Sequence, residues 1–272
     1  MKRFILLAFA ALTLFSCSKS GNGTTPEPEP TKPSLLLKSV TETTSGTPSV
    51  QVEFTYNGKQ VTKASYLKKS NGAFEYEHAF TYDAQGKLLS VTENRPQPAP
   101  TYSKADVNYF SDIISNIVLN YSGGVTQTRR LTFSNNRLVE NFVTNSNQNS
   151  TSTLAYTYNA SGNITKIENT VVNIFGQSKT SDEFSTFDDK KNVLSALPIA
   201  IFYQTVEQVD GLEFCFGANN PLTHKNTYTQ GQVFNYTISY TYNSSGYPTS
   251  LTVKQVGTSK QETYTYEYIE VK

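Results

Sequence analysis

Hydrophobic and polar residues alternate with a period of two in short runs along most of the chain. One such stretch begins with Phe80 and Tyr82 on either side of Thr81, continues as Asp-Ala-Gln-Gly at 83–86, and resumes an extended pattern at Lys87. Alternate residues of a strand face opposite sides of a sheet, and Asp and Gly tolerate turn and left-handed dihedrals. The stretch therefore predicts a β-hairpin.

Variants of this hairpin recur along the chain as an aromatic residue, Thr, a second aromatic residue and Asn or Asp, with Gly close behind. Their starts lie about 25 residues apart, or about twice that where an insertion replaces a copy, which fits two strands and two turns per unit. The repeats predict an all-β domain over residues 34–272, an extended antiparallel meander of stacked hairpins with one or two short helical or irregular insertions. The copies begin at Phe54, Phe80, Tyr156 and Tyr240, with weaker copies at Leu131 and Ser185 and a last strand at Tyr264.

Apolar residues recur two and five positions after the turn glycine of several copies. An offset of three residues would place two side chains on opposite faces of a regular strand. Either a β-bulge resets the register, or both faces of the sheet are partly covered. The pairs are Leu88 and Val91, Ile164 and Ile167, and Pro248 and Leu251.

A proline-rich stretch at 95–100 interrupts the array, and the residues after it change period. In Ser103–Asn116, the apolar side chains Val107, Phe110 and Ile114 recur at helix-like spacing, and the first residue suits an N-cap. This segment predicts a short helix.

A second insertion, Leu194–Asn220, is apolar but lacks the repeat signature. A single-layer sheet rich in aromatic residues would otherwise expose a large apolar surface to water. The insertion is therefore predicted to cover one face of the sheet, with any helix confined to Leu194–Tyr203.

The N-terminus begins with Lys2 and Arg3 and continues as an apolar run to Ser16. The run is too short to span a bilayer as a mature helix and is typical of a signal peptide, residues 1–16. A buried amphipathic helix is the alternative, but it needs a polar face and this run is apolar on every side. We therefore expect the protein to be exported.

Residues 14–17, Leu-Phe-Ser-Cys, resemble the lipobox of bacterial lipoproteins. The resemblance implies that Cys17 is lipidated and anchors the protein to a membrane without spanning it, each buried methylene contributing about 0.8 kcal/mol. Ser18 is not the Asp that retains lipoproteins in the inner membrane, so the resemblance implies the outer membrane, facing either the periplasm or the medium. The residues from Ser18 to 33 are rich in Pro, Gly and Ser and predict a flexible tether.

Residues 82–88, Tyr-Asp-Ala-Gln-Gly-Lys-Leu, resemble the YD repeat of RHS-type proteins, and the layout is similar to repeat lipoproteins of Gram-negative envelopes with unknown function. In the RHS family such repeats build a curled, extended β-sheet that can wrap a cargo. The chain is too short for that closed shell, so the resemblance implies the stacking of hairpins alone. Ser134 and Lys191 depart from the repeat pattern.

Charge argues against a nucleic-acid partner, and cysteine content argues against an intramolecular disulfide. Removal of Lys2 and Arg3 from the 23 basic residues leaves slightly fewer basic residues than the 22 acidic ones, which argues against a nucleic-acid partner recruited by charge. Cys215 is the one cysteine besides Cys17, so no intramolecular disulfide is available once Cys17 is lipidated.

No sequence motif predicts a metal site, a cofactor or a reaction. Neither His78 nor His224 has Cys, Asp or Glu at metal-ligand spacing, and Asp188, Asp189 and Asn192 lack the spaced ligands of a calcium loop. A glycosidase needs two carboxylates that face one another across a cleft, and sequence cannot place them. We therefore predict a protein that is not an enzyme and that uses no cofactor or metal.

Paired aromatic residues would form ladders across the sheet if the hairpins stack in register. Cross-strand pairing, at about 0.2–1 kcal/mol per pair, is sufficient to explain them. The alternative is a platform on which sugars or an extended peptide stack, and its candidate ligand-binding residues are Tyr156, Tyr158, Tyr240 and Tyr242. The function predicted first is a non-catalytic binding or adhesion module for a glycan or peptide. The alternatives are a structural scaffold without a small ligand and, third, a hydrolase.

Overall fold

In the part of the chain that the structure describes, sixteen antiparallel strands form one sheet that closes into a barrel. The computed structural model describes residues 34–44, 47–95, 102–147 and 149–271. Strands adjacent in sequence pair with each other, and the first strand pairs with the last. This topology confirms the predicted all-β antiparallel meander. The predicted signal peptide, the lipidated Cys17 and the tether lie outside the described residues.

The strands are β1 Ser34–Thr44, β2 Thr47–Asn57, β3 Gln60–Lys68, β4 Phe74–Tyr82, β5 Leu88–Asn94, β6 Lys104–Phe110, β7 Ile113–Asn120, β8 Thr126–Ser134, β9 Arg137–Asn145, β10 Thr151–Tyr158, β11 Ile164–Asn173, β12 Gly176–Phe184, β13 Thr223–Thr227, β14 Val233–Tyr242, β15 Pro248–Gln255 and β16 Gln261–Val271. One short helix, α1 (Ala200–Thr205), and a 3-10 turn at Val193–Ala196 lie between β12 and β13, and another 3-10 turn lies at Ser122–Gly124. Among the described residues, no helix is long and apolar enough to cross a membrane.

The repeat turns are fixed by the side chain of Asp or Asn and by a glycine. Oδ1 of Asp83 accepts a hydrogen bond from the backbone N–H of Lys87 at 2.8 Å. Asn159 and Asn243 accept the same bond from the residue four positions on, each at 3.0 Å. Gly86 has a φ of 83°, a conformation in which a side chain would be strained. The Asx and Gly residues of the repeat therefore set the turn geometry.

A β-bulge accompanies each of these turns and resets the strand register. In the β4–β5 hairpin, Tyr82 pairs with Leu88 although Thr81 pairs with Ser90, which leaves one extra residue on β5. Leu88 and Val91 consequently both face the core and are buried. Of the two alternatives that the sequence left open, the bulge is correct. The same shift occurs in the β2–β3, β6–β7, β8–β9, β10–β11 and β14–β15 hairpins.

Tyrosine hydroxyls join one hairpin to the hairpin before it. Each donates a hydrogen bond to the backbone carbonyl that immediately precedes a bulge. Tyr82, for example, donates to the carbonyl of Val61 at 2.8 Å, whereas Phe133 at the equivalent position has no hydroxyl to donate. These bonds give the second aromatic residue of the repeat a structural role. The others join Tyr56 to Leu37, Tyr109 to Leu88, Tyr158 to Leu138 and Tyr268 to Pro248.

The seam between β16 and β1 has the geometry of the hairpins. Tyr268 pairs with Leu37 and Glu267 pairs with Ser39, which leaves the same one-residue bulge. The last repeat, which begins at Tyr264, therefore finds its missing partner strand in β1. The sequence argued only against the cargo-wrapping shell of the RHS family, and the structure shows that the sheet closes into a barrel. Bulges increase the bend and twist of a sheet, and their recurrence in successive hairpins favours closure.

Residues 185–222, here called the plug, connect β12 to β13 and pack inside the barrel. Phe202 in α1 is fully buried, and the ring of Tyr203 packs edge-on against Phe54 on β2 with centroids 5.6 Å apart. The predicted insertion Leu194–Asn220 thus covers the inner face of the sheet. Its helix, α1, ends at Thr205, two residues beyond Tyr203, the predicted limit.

Two predicted local structures are wrong. The segment Ser103–Asn116 is not a helix but lies in the β6–β7 hairpin, where Ser111 and Asp112 have positive φ values of 47° and 70°. The two-residue turn and the adjacent bulge produce the helix-like spacing of its apolar residues. The weak copy at Ser185 forms no hairpin, because the chain leaves the sheet there and enters the plug.

Candidate binding site

The two ends of the barrel differ in their connections. The repeat turns, such as 83–87 and 159–163, lie at one end, here called the turn end, where β1 begins and β16 ends. The other connections, such as 69–73 and 121–125, lie at the opposite end, here called the mouth end. The plug leaves β12 at the turn end, and its residues 203–208 reach the mouth end.

A cavity of about 650 Å³, here called the mouth cavity, lies at the mouth end. Its wall consists of side chains on β4, β5 and β7 to β11 and in the adjoining connections, and plug residues 203–208 form its floor. Most of the lining side chains are polar or aromatic, and the volume falls within the usual range for small-molecule sites, about 300–1,000 Å³. The lining includes Tyr76, Glu93, Arg95, Tyr121, Gln127 and Arg129.

A fully buried histidine lies behind the wall of this cavity. Each ring nitrogen of His78 is hydrogen-bonded to a tyrosine hydroxyl, Nδ1 to Tyr66 at 2.9 Å and Nε2 to Tyr102 at 3.2 Å. Tyr66 is hydrogen-bonded in turn to Tyr203 of the plug at 2.6 Å. A buried polar network thus connects the barrel wall to the plug.

Two carboxyl groups lie close to the same ring nitrogen of this histidine. Oε2 of Glu93 and Oε2 of Glu207 lie 3.6 and 3.9 Å from Nε2 of His78. Arg95 donates to Glu93 at 2.9 Å, and Tyr76 donates to Glu207 at 2.9 Å. Burial raises the pKa of Glu207 above its ordinary value, and His78 and Tyr76 partly oppose that rise. The cavity wall therefore combines a carboxyl group paired with arginine, Glu93, and one whose pKa is raised by burial, Glu207.

Polar side chains on β8, β9 and β10 hold the C-terminal end of α1. Arg129 and Asn141 both donate to the backbone carbonyl of Thr205, the latter at 3.2 Å. Tyr156 donates to the carbonyl of Gln204 at 3.4 Å. Such donors satisfy carbonyl groups that a helix leaves unpaired at its end. They attach the cavity floor to its wall.

The outer face of the barrel is polar. The Thr between the two aromatic residues of a repeat is exposed, as at Thr55, Thr81 and Thr157. Ion pairs also link neighbouring strands, as between Lys38 and Glu267 at 2.8 Å. Membrane-spanning barrels carry an apolar outer band, in which a Lys at the bilayer midplane costs about 2–4 kcal/mol. This outer surface therefore suits contact with water rather than lipid.

Comparisons with known proteins identify the fold. No family model and no curated protein matches the sequence. A porin-like protein from Bacteroides vulgatus ATCC 8482 is similar in structure, with a TM-score of 0.55 and 9% sequence identity over 86% of this chain and 98% of that chain. A porin-like protein from Bacteroides uniformis ATCC 8492 matches with a TM-score of 0.38 and 11% identity over 87% and 98% of the two chains. At 9% identity, the first likeness concerns the β-barrel fold alone.

The four tyrosines that the sequence suggested as ligand-binding residues all pack toward the plug. Tyr156 is 6% exposed, and the hydroxyl of Tyr240 is buried. Tyr158 and Tyr242 are half-buried, and their hydroxyls donate to the neighbouring hairpin and to the plug. Core packing explains these residues, and ligand binding by them stays a prediction.

The cavity residues are scattered over many strands, so no local motif contains them. One signal was present in the sequence nonetheless. His78, Glu93 and Arg129 occupy the inward register that aromatic and aliphatic side chains hold elsewhere, as Phe80 does two residues after His78 and Leu131 two residues after Arg129. Polar residues at inward positions of a barrel are costly to bury unless they have partners. They therefore mark the region of the cavity.

Proposed function

We propose that this protein is a lipid-anchored protein of the bacterial cell envelope, not an enzyme, and that its barrel binds a glycan or a peptide. The mouth cavity carries this proposal, since its volume of about 650 Å³ is lined in part by amide, phenol and guanidinium groups and has the plug as its floor. These groups can exchange hydrogen bonds with sugar hydroxyls or with a peptide backbone, and tyrosine rings add a stacking surface.

The proposed anchor is Cys17, and the polar outer face of the barrel supports it. Because the wall carries exposed Thr, Lys and Glu, acyl chains at Cys17 rather than the strands would hold the protein at the membrane. The outer membrane is the proposed location. Metabolic labelling with a fatty acid, followed by cell fractionation, tests this. Processed protein that is soluble and carries no acyl label would contradict it.

A glycan and peptide array probed with residues 18–272 tests for a ligand. For any ligand found, Tyr121→Ala should weaken binding about tenfold or more, because aromatic contacts dominate many binding sites. Tyr228→Ala removes a ring that is 50% exposed and does not line the mouth cavity, so it should bind as the wild type does. Equal weakening by both variants would contradict a site in the mouth cavity.

A blank array would instead favour a structural scaffold. In that case replacement of Tyr156 or Tyr240 by Ala should cost about 3–5 kcal/mol of stability, as large core truncations do, with no separable effect on binding. Thermal melts of the two variants provide the measurement.

A hydrolase is the third candidate, favoured by the closeness of Glu93 and Glu207 to the same atom, Nε2 of His78. Glycoside hydrolysis uses one carboxylic acid of raised pKa and one ionised carboxylate. Burial raises the pKa of Glu207, and Arg95 pairs with Glu93. A panel of fluorogenic glycosides tests it. Glu207→Gln should abolish any turnover, whereas Glu168→Gln on the outer face should not. Turnover that survives Glu207→Gln would contradict this candidate.

A further inference from the structure

The charged side chains that line the mouth cavity are unequally paired. Glu93 and Arg95 pair with each other at 2.9 Å. The carboxyl group of Glu207 accepts a hydrogen bond from Tyr76 at 2.9 Å, and burial raises its pKa, which favours its neutral form. Arg129 also lines the cavity, and it forms no ion pair with a carboxyl group in the described part of the chain. Arg129 is therefore a cation whose charge no adjacent acid balances.

The guanidinium group of Arg129 is partly removed from water. The residue lies on β8 in an inward position and is only partly exposed. Burial lowers the pKa of Arg129, and the carboxyl group of Glu207 opposes this effect only in part. A charge inside a protein is costly unless it is paired and hydrogen-bonded. An anion in the mouth cavity would therefore gain a strong interaction with this group.

One nitrogen of Arg129 is left free to make that interaction. Nε donates to Oε1 of Gln127 at 2.9 Å, and Nη1 donates to the backbone carbonyl of Thr205. Nη2 donates no hydrogen bond to a described residue. Side-chain nitrogens that are both buried and unpartnered occur in Asn192 and Gln204, but Nη2 of Arg129 is not one of them. Because Arg129 lines the mouth cavity, its free nitrogen is accessible from that space.

The hydroxyl group of Tyr121 is a second free donor beside Arg129. It makes no hydrogen bond within the described residues, and it is not a buried atom. Burial raises the pKa of Tyr121, and Arg129 opposes that rise, because the phenol and the guanidinium group are close together. The ring packs edge-on against Tyr102 with centroids 6.5 Å apart, which holds its orientation. Two donors therefore serve the same part of the cavity.

We propose that the mouth cavity binds a carboxylate group, held by Nη2 of Arg129 and by the hydroxyl group of Tyr121. A carboxylate accepts several hydrogen bonds, and bonds from a guanidinium group to a carboxylate are among the strongest in proteins. One negative charge balances the one unpaired cation. A second negative charge, as on a phosphate dianion, would be repelled by Glu93, which lines the same cavity.

This inference rests on the proposed binding function and narrows it to acidic ligands. The carboxylate could belong to an acidic sugar of a glycan or to a peptide, and the shared chemistry is a singly charged carboxylate.

Titration calorimetry of the full-length mature protein in detergent micelles tests the inference with two pairs of probes. One pair is trigalacturonate and its methyl ester, and the other is N-acetyl-trialanine and its C-terminal amide. At least one of the two acids should bind, and its neutral counterpart should bind about tenfold more weakly, equivalent to about 1.4 kcal/mol. Arg129→Gln should weaken binding of the acid about tenfold and leave binding of the neutral counterpart unchanged. Arg130→Gln, a change at the next residue of β8 on the exposed outer face, should leave both unchanged.

Absence of binding by both acids, equal binding of acid and neutral counterpart, or unchanged affinity for the acid in Arg129→Gln would each overturn the inference. If Arg129→Gln does not fold because it loses its bond to Thr205, Tyr121→Phe provides the test. This variant removes the hydroxyl group alone and should weaken binding of the acid about fivefold, and unchanged affinity would overturn the inference equally.

The order of affinities identifies the source of the carboxylate. Tighter binding of trigalacturonate would assign it to a glycan, tighter binding of N-acetyl-trialanine would assign it to a peptide, and either order supports the site. A ligand weakened by Tyr121→Ala but not by Arg129→Gln would overturn this inference alone. A ligand that neither variant weakens would contradict the mouth cavity as the binding site.

Discussion

Replacement of Glu213 by Gln should stabilise the protein at neutral and higher pH and have little effect in acid. Burial raises the pKa of Glu213 from 4.5 to about 7, and Asp210 and Glu262 add repulsion. The folded protein therefore holds this proton more tightly than the unfolded chain does. The corresponding stability is fully present below about pH 4.5 and is lost as the pH rises through about 7, because the buried carboxylate must then ionise.

The magnitude follows from the two pKa values. A change from 4.5 to about 7, at about 1.4 kcal/mol per pH unit, amounts to roughly 3 kcal/mol. Gln has nearly the shape of Glu without the titration, so the variant should gain up to this amount at pH 8 and almost nothing at pH 4. Asp182, Glu207, Cys215, Tyr240, Tyr264 and Tyr266 also lie near Glu213, and their titration is common to both proteins.

Urea unfolding of both proteins at several pH values between 4 and 8 measures this difference. Glu168→Gln is the control, because Lys166 and Lys179 lower the pKa of the exposed Glu168 and its removal should give no gain at high pH. A difference between Glu213→Gln and the wild type that does not change with pH would refute the reasoning, since it would mean that the carboxylate is not held in a desolvated site.

Three further predictions concern the barrel and its anchor. Tyr82→Phe removes the hydrogen bond to the carbonyl of Val61 and should cost about 0.5–1.5 kcal/mol in urea unfolding, whereas Tyr228→Phe at an exposed position should cost nothing measurable; equal effects would contradict a bracing role for Tyr82. Phe202→Ala empties the centre of the plug and should cost about 3–5 kcal/mol in the same assay, and a loss below about 1 kcal/mol would contradict packing of the plug in the core. Cys17→Ala should abolish incorporation of labelled fatty acid, and label retained by this variant would place the acylation elsewhere.

The sequence predicted the strands and turns well because their determinants are local. Alternation around Thr81 and the Asp83 to Gly86 turn depend on a few neighbouring residues, and the structure confirms both. The offset of Leu88 and Val91 showed that something disturbed the register, but the pairing of Tyr82 with Leu88 decided that it was a bulge. The same kind of bulge and turn misled the interpretation of Ser103–Asn116, since a short hairpin can imitate helical spacing.

Closure and the cavity were beyond local reasoning because they depend on contacts between residues far apart in the chain. Glu207 and Tyr76 are separated by 131 residues and Tyr66 and Tyr203 by 137, so no spacing rule links them. The plug was recognised as an apolar insertion, but its position inside a barrel depends on closure of the sheet. Polar residues at inward strand positions, such as His78, indicate the region of the cavity. This pattern can be recognised only when the register of the strands is known.

The bulged pairing of β16 with β1 suggests that the same barrel could be built with its termini at a different hairpin. Tyr268 and Leu37 pair as the residues beside a repeat turn do, so the two terminal strands form a hairpin that lacks only its connection. Joining them through an Asx-Gly turn and cutting the chain at 58–59 or 135–136 would give a circular permutant with the same ladder of hydrogen bonds. Apart from the plug between β12 and β13, the barrel is in this sense a ring of similar hairpins without a privileged first strand. A ring of this kind can arise by duplication of one repeat unit, with the chain termini placed between any two units.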